Sequence, residues 1–417
     1  MKIAVFGTTL YAGVITSLLA ECGHYVFSCT NLEHGTHAFE VTEQDVLLAL
    51  AKNAQGGFLT YCDLQSLPLD IDAYFFSFGH SQKHEALDVI KALSERTVIH
   101  PKLMINASTF GLHGTQELKQ LLPKDDWVYF PDIVQEGQAF KSITSAEKVI
   151  IGCQDVKVQE KIQEMLRPFF PRRQQLLFMP ILDAEFTKLS ISGMLATRIS
   201  YMNDLAIVAE KLGVDITCVR DGMSADNRIG ASYLHAGAGF GGENFSHDIV
   251  TLSQAVARTG VKSQLLEQVW DINEQQKELL FRKLWNYFRG DLKGKTIAVW
   301  GAAFKPNSSS TSQSPIHPML VALWAQGVTV RLHDPQALDE IKKKYGERAD
   351  LILCKNQYEA AQGAHALCLL TAWKQYLSLD YQQLNHNMLH PLILDGRNVY
   401  RPEYVKNQGF AYMGVGR

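Results

Sequence analysis

The chain has 417 residues, of which 46% are hydrophobic and 20% charged, and its formal net charge is −3. This length predicts two or three domains of ordinary globular composition. The near-neutral charge gives no reason to expect nucleic acid or an anionic membrane surface as a partner. The sequence has no apolar run of the ~18 residues that a membrane span needs and no signal-peptide pattern, so we expect a cytoplasmic protein without membrane insertion.

The seven cysteines are scattered through the chain and form no Cys-x-x-Cys pair. An odd number of dispersed cysteines indicates neither a disulfide framework nor a metal site. We therefore expect reduced, mostly buried thiols and no bound metal.

Short apolar runs alternate with helical patterns over the first part of the chain. Lys2–Phe6 leads through a turn into a helical pattern that ends at Gly23, and Tyr25–Cys29 completes a β-α-β unit. Further strands are predicted at residues 73–78, 103–105, 127–130 and 148–151. This alternation is typical of a doubly wound parallel sheet, so we predict a Rossmann-like α/β domain over residues 1–180.

In such a domain, the turn after the first strand holds the pyrophosphate of a dinucleotide at a helix N-terminus. The residues at the expected Gly-x-Gly-x-x-Gly fingerprint are Gly7-Thr8-Thr9-Leu10-Tyr11-Ala12, with Gly13 one place late. Thr9 carries a side chain where the second glycine leaves room for the pyrophosphate. The acidic residue expected after the second strand is also absent, because Thr30 stands there. The sequence predicts either a weak NAD site or a Rossmann-like fold with an empty cofactor pocket. The candidate cofactor residues are Gly7, Thr8, Thr9, Leu10 and Thr30.

Helical periodicity dominates residues 181–292. One pattern runs from Asp183 to about Gly213, and another covers residues 264–289. The first is too long for a crossover helix and has spare apolar faces, so we predict a central helical and dimerisation domain that joins two α/β domains. Lys188 and Ser192 lie one turn apart on this helix and share a face.

A glycine-rich stretch at residues 226–248 separates these helical regions. It includes Gly237, Gly239, Gly241 and Gly242, and such a run lets the backbone approach a ligand closely. Glycine content alone does not separate a ligand-binding loop from a flexible surface loop. After it, a second series of apolar runs begins at Thr296–Trp300 and predicts another Rossmann-like domain over residues 293–417.

The glycine-rich stretch resembles the active-site segment of the UDP-glucose/GDP-mannose dehydrogenase family. The matching positions are Arg228-Ile229-Gly230, Tyr233-Leu234, Gly239-Phe240-Gly241-Gly242, Phe245 and Asp248. Ala303-Phe304-Lys305-Pro306 and Asp395-Gly396-Arg397-Asn398 resemble the family's nucleotide-binding motifs. The resemblance extends in order over nearly the whole chain.

The resemblance implies a UDP-sugar as ligand. Lysine and arginine side chains would make charge-assisted hydrogen bonds to its diphosphate. In the family, the residue matching Arg228 reaches the neighbouring subunit's site, so the resemblance also implies at least a homodimer. The implied substrate-binding residues are Arg228, Tyr233, Gly237, Gly239, Gly241, Phe304, Lys305 and Arg397.

The family oxidises the sugar C6 alcohol to a carboxylate with NAD and a cysteine that forms a thioester. Asn244 stands at the cysteine position, and an amide nitrogen is not a usable nucleophile. Ser192 replaces an asparagine of the family, and Asp132 is a shortened stand-in for a glutamate. The candidate catalytic residues are Lys188, Asp248, Thr109, Asp132, Glu136, Asn244 and Ser192.

The stretch Asn307–Pro315 also departs from the family pattern. The family has an arginine here that reaches the NAD pyrophosphate, and its place is taken by Ser312. A serine-rich run of this kind is typical of a flexible loop.

Three functions remain open. The leading hypothesis is a pseudo-dehydrogenase that binds a UDP-sugar without the four-electron oxidation and acts as a regulatory or assembly partner in polysaccharide biosynthesis. The alternative is an active NAD-dependent nucleotide-sugar dehydrogenase with altered or partial, two-electron chemistry. The third is a purely structural dimer partner without a small-molecule ligand.

Overall fold

The computed structural model describes residues 1–29, 39–41, 43–96, 101–261 and 264–417. The chain divides into two compact units, Met1–Ile191 and Ser192–Arg417. The division falls within one long helix, α7 (Ile181–Leu212), which was predicted from Asp183 to about Gly213. The three-domain division at residues 1–180, 181–292 and 293–417 stays a prediction.

The first unit is built on an eight-stranded sheet with the order β3-β2-β1-β4-β5-β6-β7-β8. Its strands are β1 (Lys2–Phe6), β2 (Tyr25–Cys29), β3 (Leu59–Tyr61), β4 (Ala73–Phe76), β5 (Leu103–Asn106), β6 (Asp126–Tyr129), β7 (Val149–Gly152) and β8 (Leu176–Met179). Its helices before α7 are α1 (Leu10–Glu21), α2 (Gln44–Gln55), α3 (Lys83–Ser94), α4 (Gly114–Lys119), α5 (Ala139–Thr144) and α6 (Val156–Leu166).

The sheet is parallel except where β6 meets β7, which pair antiparallel at Tyr129 and Gly152. The predicted doubly wound parallel sheet therefore contains one antiparallel pair. The connection through α5 returns to the edge where β6 ends instead of crossing to the opposite edge, so β7 runs in the reverse direction.

Apolar layers cover both faces of this sheet. Along β1, Ile3 and Val5 belong to one buried cluster, whereas Ala4 and Phe6 belong to another. The alternation follows from the two-residue period of a strand, and continuous apolar strands are typical of a sheet buried on both faces.

The second unit contains a six-stranded parallel sheet with the order β11-β10-β9-β12-β13-β14. Its strands are β9 (Thr296–Trp300), β10 (Thr329–His333), β11 (Leu351–Leu353), β12 (Ala366–Leu369), β13 (Leu392–Asp395) and β14 (Ala411–Met413). The helices after α7 are α8 (Ile216–Ala225), α9 (Glu243–Arg258), α10 (Leu265–Lys277), α11 (Leu279–Tyr287), α12 (Ile316–Ala325), α13 (Leu338–Tyr345), α14 (Gln357–Ala361), α15 (Tyr381–Asn387) and α16 (Pro402–Asn407).

The two sheets confirm the predicted α/β class with two doubly wound, Rossmann-like folds. The helical run predicted at residues 264–289 is two helices, α10 and α11, which meet at Glu278. In the part of the chain that the structure describes, no helix has the length and apolarity needed to cross a membrane.

Candidate functional site

The glycine loop, residues 237–242, is held in place by side-chain amides. The Gly237 amide donates to Asn203 Oδ1 at 2.8 Å, and the Gln276 side chain donates to the Gly237 carbonyl at 2.8 Å. Asn273 bonds both backbone groups of Phe240, accepting at 2.7 Å and donating at 3.1 Å. All three amide side chains are almost fully buried. They replace the sheet partners that this irregular backbone lacks, so the loop is fixed and not flexible.

Two glycines of this loop allow close packing against the segment after β9. A Cβ on Gly241 would lie 2.6 Å from the Gln313 carbonyl oxygen, and one on Gly242 would lie 2.8 Å from the Phe304 ring. Gly242 also has a φ of +96°, which favours glycine. The glycine loop and the Phe304 region therefore fit together only without side chains at these positions.

Arg397 follows β13 and places a cation against the glycine loop. Its Nη1 donates to the Gly239 carbonyl at 3.1 Å, and its Nε donates to the Leu370 carbonyl at 2.5 Å. The Nη2 atom is shielded from solvent and has no hydrogen-bond partner among the described residues. Desolvation lowers the pKa of Arg397 to about 10, which leaves the side chain charged at neutral pH. An unpaired donor on a desolvated cation suits an anionic ligand oxygen.

Phe304 and Lys305 lie in the turn that follows β9. The carboxylate of Asp334, which is 2% exposed, accepts hydrogen bonds from the Ala302 and Ala303 amides at 2.7 and 3.0 Å and fixes this turn. The Lys305 ammonium lies 5.2 Å from the centre of the Phe304 ring. The carboxyl ends of β9 and β13 meet at one edge of the parallel sheet, where open α/β sheets bind ligands.

The serine-rich stretch is anchored, so the prediction of a flexible loop is wrong. The Thr311 amide and hydroxyl both donate to the Glu340 carboxylate at 2.8 Å, and Ser308 and Ser314 are buried. The Ser312 carbonyl accepts from the Gly242 amide at 2.9 Å. Ser312 thus supports the glycine loop through its backbone, and a cofactor role for its side chain stays a prediction.

Ser192 and Asp248 are brought together in the second unit. The Ser192 hydroxyl donates to Asp248 Oδ2 at 2.7 Å, and both residues are buried. Asn244 lies in the first turn of α9, one turn before Asp248, so these two residues share a face of the helix. The arrangement supplies a buried carboxylate with a fixed hydroxyl partner.

Cysteines of the second unit lie elsewhere in the fold. Cys218 is exposed on α8, whereas Cys354 and Cys368 are buried in the core of the C-terminal sheet. Burial raises the pKa of Cys354 to about 11, which disfavours a thiolate.

Arg228 and Tyr233 lie in the exposed segment before the glycine loop. The Arg228 guanidinium pairs with Asp226, with Nη2 to Oδ2 at 2.6 Å, and its side chain is 89% exposed. Tyr233 has a positive φ of +60°, and its side chain is partly exposed. Their predicted substrate contacts stay predictions.

In the first unit, Gly7 forms the turn after β1. Its φ is +109°, and an added Cβ would lie 1.9 Å from the Ser77 carbonyl oxygen, so only glycine fits. Thr9 caps α1, which begins at Leu10; its Oγ1 accepts from the Ala12 amide at 3.1 Å and lies 2.8 Å from Ser77 Oγ. The Thr9 side chain therefore occupies the helix N-terminus that a pyrophosphate would need.

An acidic residue lies against the same turn. Glu40 accepts a hydrogen bond from the Thr8 hydroxyl at 3.1 Å, and its amide donates to the Thr8 carbonyl at 2.7 Å. A carboxylate here repels a pyrophosphate. The described residues of this turn do not fit the dinucleotide fingerprint. Thr30 lies outside the described residues.

The remaining candidates in the first unit follow β5 and β6 or lie on α7. The Thr109 hydroxyl is buried without a hydrogen-bond partner in the described part of the chain. Asp132 accepts from the Val134 amide at 2.9 Å, and Glu136 lies in the same connection. Lys188 follows Glu185 by one turn of α7. Within the described ranges, no group of three or more His, Cys, Asp or Glu side chains is arranged to hold a metal ion.

The Glu185 carboxylate fixes the start of α7. It accepts from the His113 and Thr115 amides at 2.8 and 2.9 Å. Burial raises the pKa of Glu185. Sequence reasoning singled out neither this anchor nor the three amide side chains behind the glycine loop, because their partners lie far away in the sequence and spacing gives no signal for such contacts.

Comparisons with known proteins agree with the resemblance. Residues 182–275 match the central domain, and residues 298–402 the UDP binding domain, of the UDP-glucose/GDP-mannose dehydrogenase family. A UDP-glucose 6-dehydrogenase of Pseudomonas aeruginosa is 39% identical over 290 residues, which cover 69% of this chain and 64% of that protein. The UDP-glucose 6-dehydrogenase YwqF of Bacillus subtilis is 31% identical over 100% of this chain and 98% of its own length.

Solved structures show the same fold. The structure of a UDP-glucose dehydrogenase from Pyrobaculum islandicum matches with a TM-score of 0.86 at 23% identity, over 100% of this chain and 97% of that one. The similarity to the Bacillus subtilis protein extends over 100% of this chain and therefore includes both matched domains. The chain therefore belongs to the UDP-glucose/GDP-mannose dehydrogenase family.

Proposed function

We propose that this protein binds a UDP-sugar and does not carry out a four-electron oxidation of it. The observation that carries the proposal is Arg397, whose shielded Nη2 has no partner among the described residues, while its Nη1 donates to Gly239 in the glycine loop and its Nε to the Leu370 carbonyl. A diphosphate oxygen would satisfy this donor with a charge-assisted bond.

The chemical half of the proposal rests on Asn244. In the family, the carboxylate forms through a thioester on a cysteine, and the asparagine amide at this position does not supply such a nucleophile. The Ser192–Asp248 pair supplies a proton acceptor but no equivalent nucleophile, because a serine hydroxyl that donates a hydrogen bond to a carboxylate is a weaker nucleophile than a cysteine thiolate.

Weak or absent NAD binding completes the proposal. NAD would supply the hydride acceptor of an active dehydrogenase. Thr9 fills the helix N-terminus after β1, and the Glu40 carboxylate lies against the same turn. Both features disfavour a pyrophosphate, and Ser312 offers no cation in place of the family's arginine.

The test is a thermal-shift matrix of UDP-glucose, UDP-glucuronate, UDP-galactose and GDP-mannose, each with and without NAD. A ligand that binds only the folded protein at about a hundredfold excess over its Kd adds ~2.7 kcal/mol to the free energy of unfolding. We expect a shift with a UDP-sugar, no further shift with NAD and no NADH absorbance. Turnover by the purified protein would refute the proposal.

Lys305→Ala is the variant that ties the shift to the site. Loss of its ammonium should weaken UDP-sugar binding about tenfold, because one charge-assisted contact is lost. Lys374→Ala is the matched control, since Lys374 is an exposed lysine of the same unit. Equal shifts in the two variants would place the ligand elsewhere.

The second candidate function is an NAD-dependent nucleotide-sugar dehydrogenase with partial, two-electron chemistry. The buried Ser192–Asp248 pair favours it, because a positioned carboxylate can accept the proton of an alcohol. Asn244→Cys should then raise carboxylate formation, with Asn244→Ser as a control that lacks a thiol. No difference between these variants would count against this candidate.

We further propose a homodimer in the cytoplasm that acts as a regulatory partner in polysaccharide biosynthesis. Met194, Tyr201 and Val208 recur every seven residues on α7 and are each about half exposed or more, as expected for a helix seam that meets a second copy. Light scattering should give the mass of a dimer. Tyr201→Lys should lower it to that of a monomer, and an unchanged mass would contradict this interface.

A further inference from the structure

Two of the scattered cysteines are neighbours in the first unit. Cys29 is the last residue of β2, and Cys62 directly follows β3. The strands are parallel and in register, with Ser28 opposite Tyr61, and the Cys62 amide donates to the Ser28 carbonyl at 3.1 Å. The next residues of both strands therefore lie side by side. Their sulfur atoms are 3.3 Å apart.

Backbone geometry permits a covalent bond between these sulfurs. Adjacent strands lie about 4.8 Å apart, and a disulfide spans Cα separations of about 4.4 to 6.8 Å. Both side chains project to the same face, where they join one buried cluster with Phe6 and Phe76. Closure requires the two sulfurs to approach to about 2.05 Å, a movement that side-chain rotation can supply without a change of strand register.

The hydrogen bond between the two thiols distinguishes them, while burial and the nearby Asp63 and Arg96 each act in the same direction on the pKa of both. The hydrogen bond between the thiols lowers the pKa of Cys62 and raises that of Cys29. Cys62 is therefore the sulfur that more readily becomes a thiolate, which is the nucleophilic form.

We propose that Cys29 and Cys62 form an oxidation site that closes to an intramolecular disulfide in the presence of a peroxide. The Cys62 thiolate attacks one oxygen of hydrogen peroxide, the O–O bond breaks, and a sulfenic acid and hydroxide form. The Cys29 thiol then attacks the Cys62 sulfur, the S–O bond breaks, and water leaves. The peroxide gains the two electrons that the two thiols lose, and a small-molecule dithiol restores both thiols by exchange.

The bond would tie the carboxyl ends of β2 and β3 together, directly before Thr30 in the sequence. The oxidation site goes beyond the proposed function and does not depend on it, since neither thiol is among the candidate binding residues. Oxidation and UDP-sugar binding are measured separately, so failure of one leaves the other standing.

The test is peptide mapping of the full-length protein after treatment with hydrogen peroxide, followed by alkylation under non-reducing conditions. Cleavage after lysine and arginine places Cys29 in residues 3–52 and Cys62 in residues 53–83. We expect these two peptides to be linked, with the loss of two hydrogen atoms, and to separate after treatment with dithiothreitol. Unlinked peptides with both thiols alkylated would overturn the proposal.

Two variants assign the link and its first step. Cys22 shares the peptide of Cys29, so Cys22→Ala is the matched control and should leave the link unchanged. In Cys29→Ala the link should disappear and dimedone, which reacts with sulfenic acids, should label Cys62. Persistence of the link in Cys29→Ala, or its loss in Cys22→Ala, would refute the assignment, and the wild-type map decides the proposal even if a variant fails to fold.

Discussion

The turn after β1 and the turn after β9 occupy the same place in two similar sheets. Each begins with a glycine of positive φ, +109° at Gly7 and +96° at Gly301, and a Cβ on either would clash with the end of a neighbouring strand. In both, a side chain of the protein accepts from backbone amides: Thr9 from the Ala12 amide in the first and Asp334 from the Ala302 and Ala303 amides in the second. These three amides are therefore not free to bind a phosphate.

The two turns differ in what surrounds them. Lys305 follows β9 and Arg397 follows β13, two strands whose carboxyl ends lie at the same edge of the second sheet with β12 between them, whereas Glu40 lies against the turn of the first. The second edge therefore carries two cations beside the buried Asp334 carboxylate, whereas the turn of the first sheet has the Glu40 carboxylate against it. The comparison teaches that a shared fold supplies the place for a nucleotide, while the side chains beyond the turn decide whether an anion is attracted there.

The largest effect is expected from removing Arg397, one of the two cations at the edge of the second sheet. Arg397→Ala deletes the unpaired donor and leaves the Gly239 and Leu370 carbonyls without their partner. We expect UDP-glucose affinity to fall about a hundredfold, or ~3 kcal/mol, and the free energy of unfolding to fall by about 2 kcal/mol. Calorimetric titration measures the affinity for UDP-glucose, and urea unfolding measures the free energy of unfolding. Arg401→Ala, an exposed arginine nearby in sequence, should change neither; retained affinity in Arg397→Ala would place the diphosphate elsewhere.

Distorting the glycine loop should have an intermediate effect. Gly241→Ala brings a methyl group within 2.6 Å of the Gln313 carbonyl oxygen, so the backbone must shift, at a cost of about 1 to 3 kcal/mol in unfolding free energy and a loss of UDP-glucose binding. Gly222→Ala is the matched control, because its Cβ meets nothing within 4 Å and alanine favours the helix α8 by up to about 1 kcal/mol. Equal unfolding free energies for Gly241→Ala and Gly222→Ala would show that the glycine loop is not tightly packed.

The smallest effect is expected from neutralising Glu40, which tests whether its charge contributes to the difference between the two turns. Glu40→Gln removes the negative charge beside the turn after β1, so NAD binding should strengthen by about 1 kcal/mol or severalfold, with the effect decreasing at high salt. Glu21→Gln, at the opposite end of α1, should have no such effect. Calorimetric titration with NAD at two salt concentrations measures both. Equal NAD affinity in the two variants would mean that the Thr9 side chain alone closes this site.

Local patterns predicted the central strands well. β1, β2 and β9 are apolar runs bounded by turn residues, and α7 was predicted within two residues at each end. The short strands β3, β8 and β14 were missed because they lie at sheet edges, where a strand of three or four residues carries little periodicity. The break at Glu278 was missed because helical periodicity continues on both sides of it.

The candidate site was predictable only where a motif carries it. Gly241, Lys305 and Arg397 belong to motifs, so the sequence singles them out as candidates, and their contacts with a ligand stay predictions. Asn273 and Glu40 act through long-range contacts that spacing does not reveal. The serine-rich stretch was misread because Glu340, from a distant helix, anchors it.

The support of the glycine loop has a consequence for how such a protein evolves. Asn203, Asn273 and Gln276 hold the loop from buried positions on α7 and α10, and none of them is a candidate for the reaction. The demands of a stable fold alone therefore preserve the shape of the glycine loop, whatever residue stands at the position of Asn244. An intact glycine loop consequently reports on the fold, and the chemistry has to be read from other residues, such as Ser192, Asn244 and Asp248.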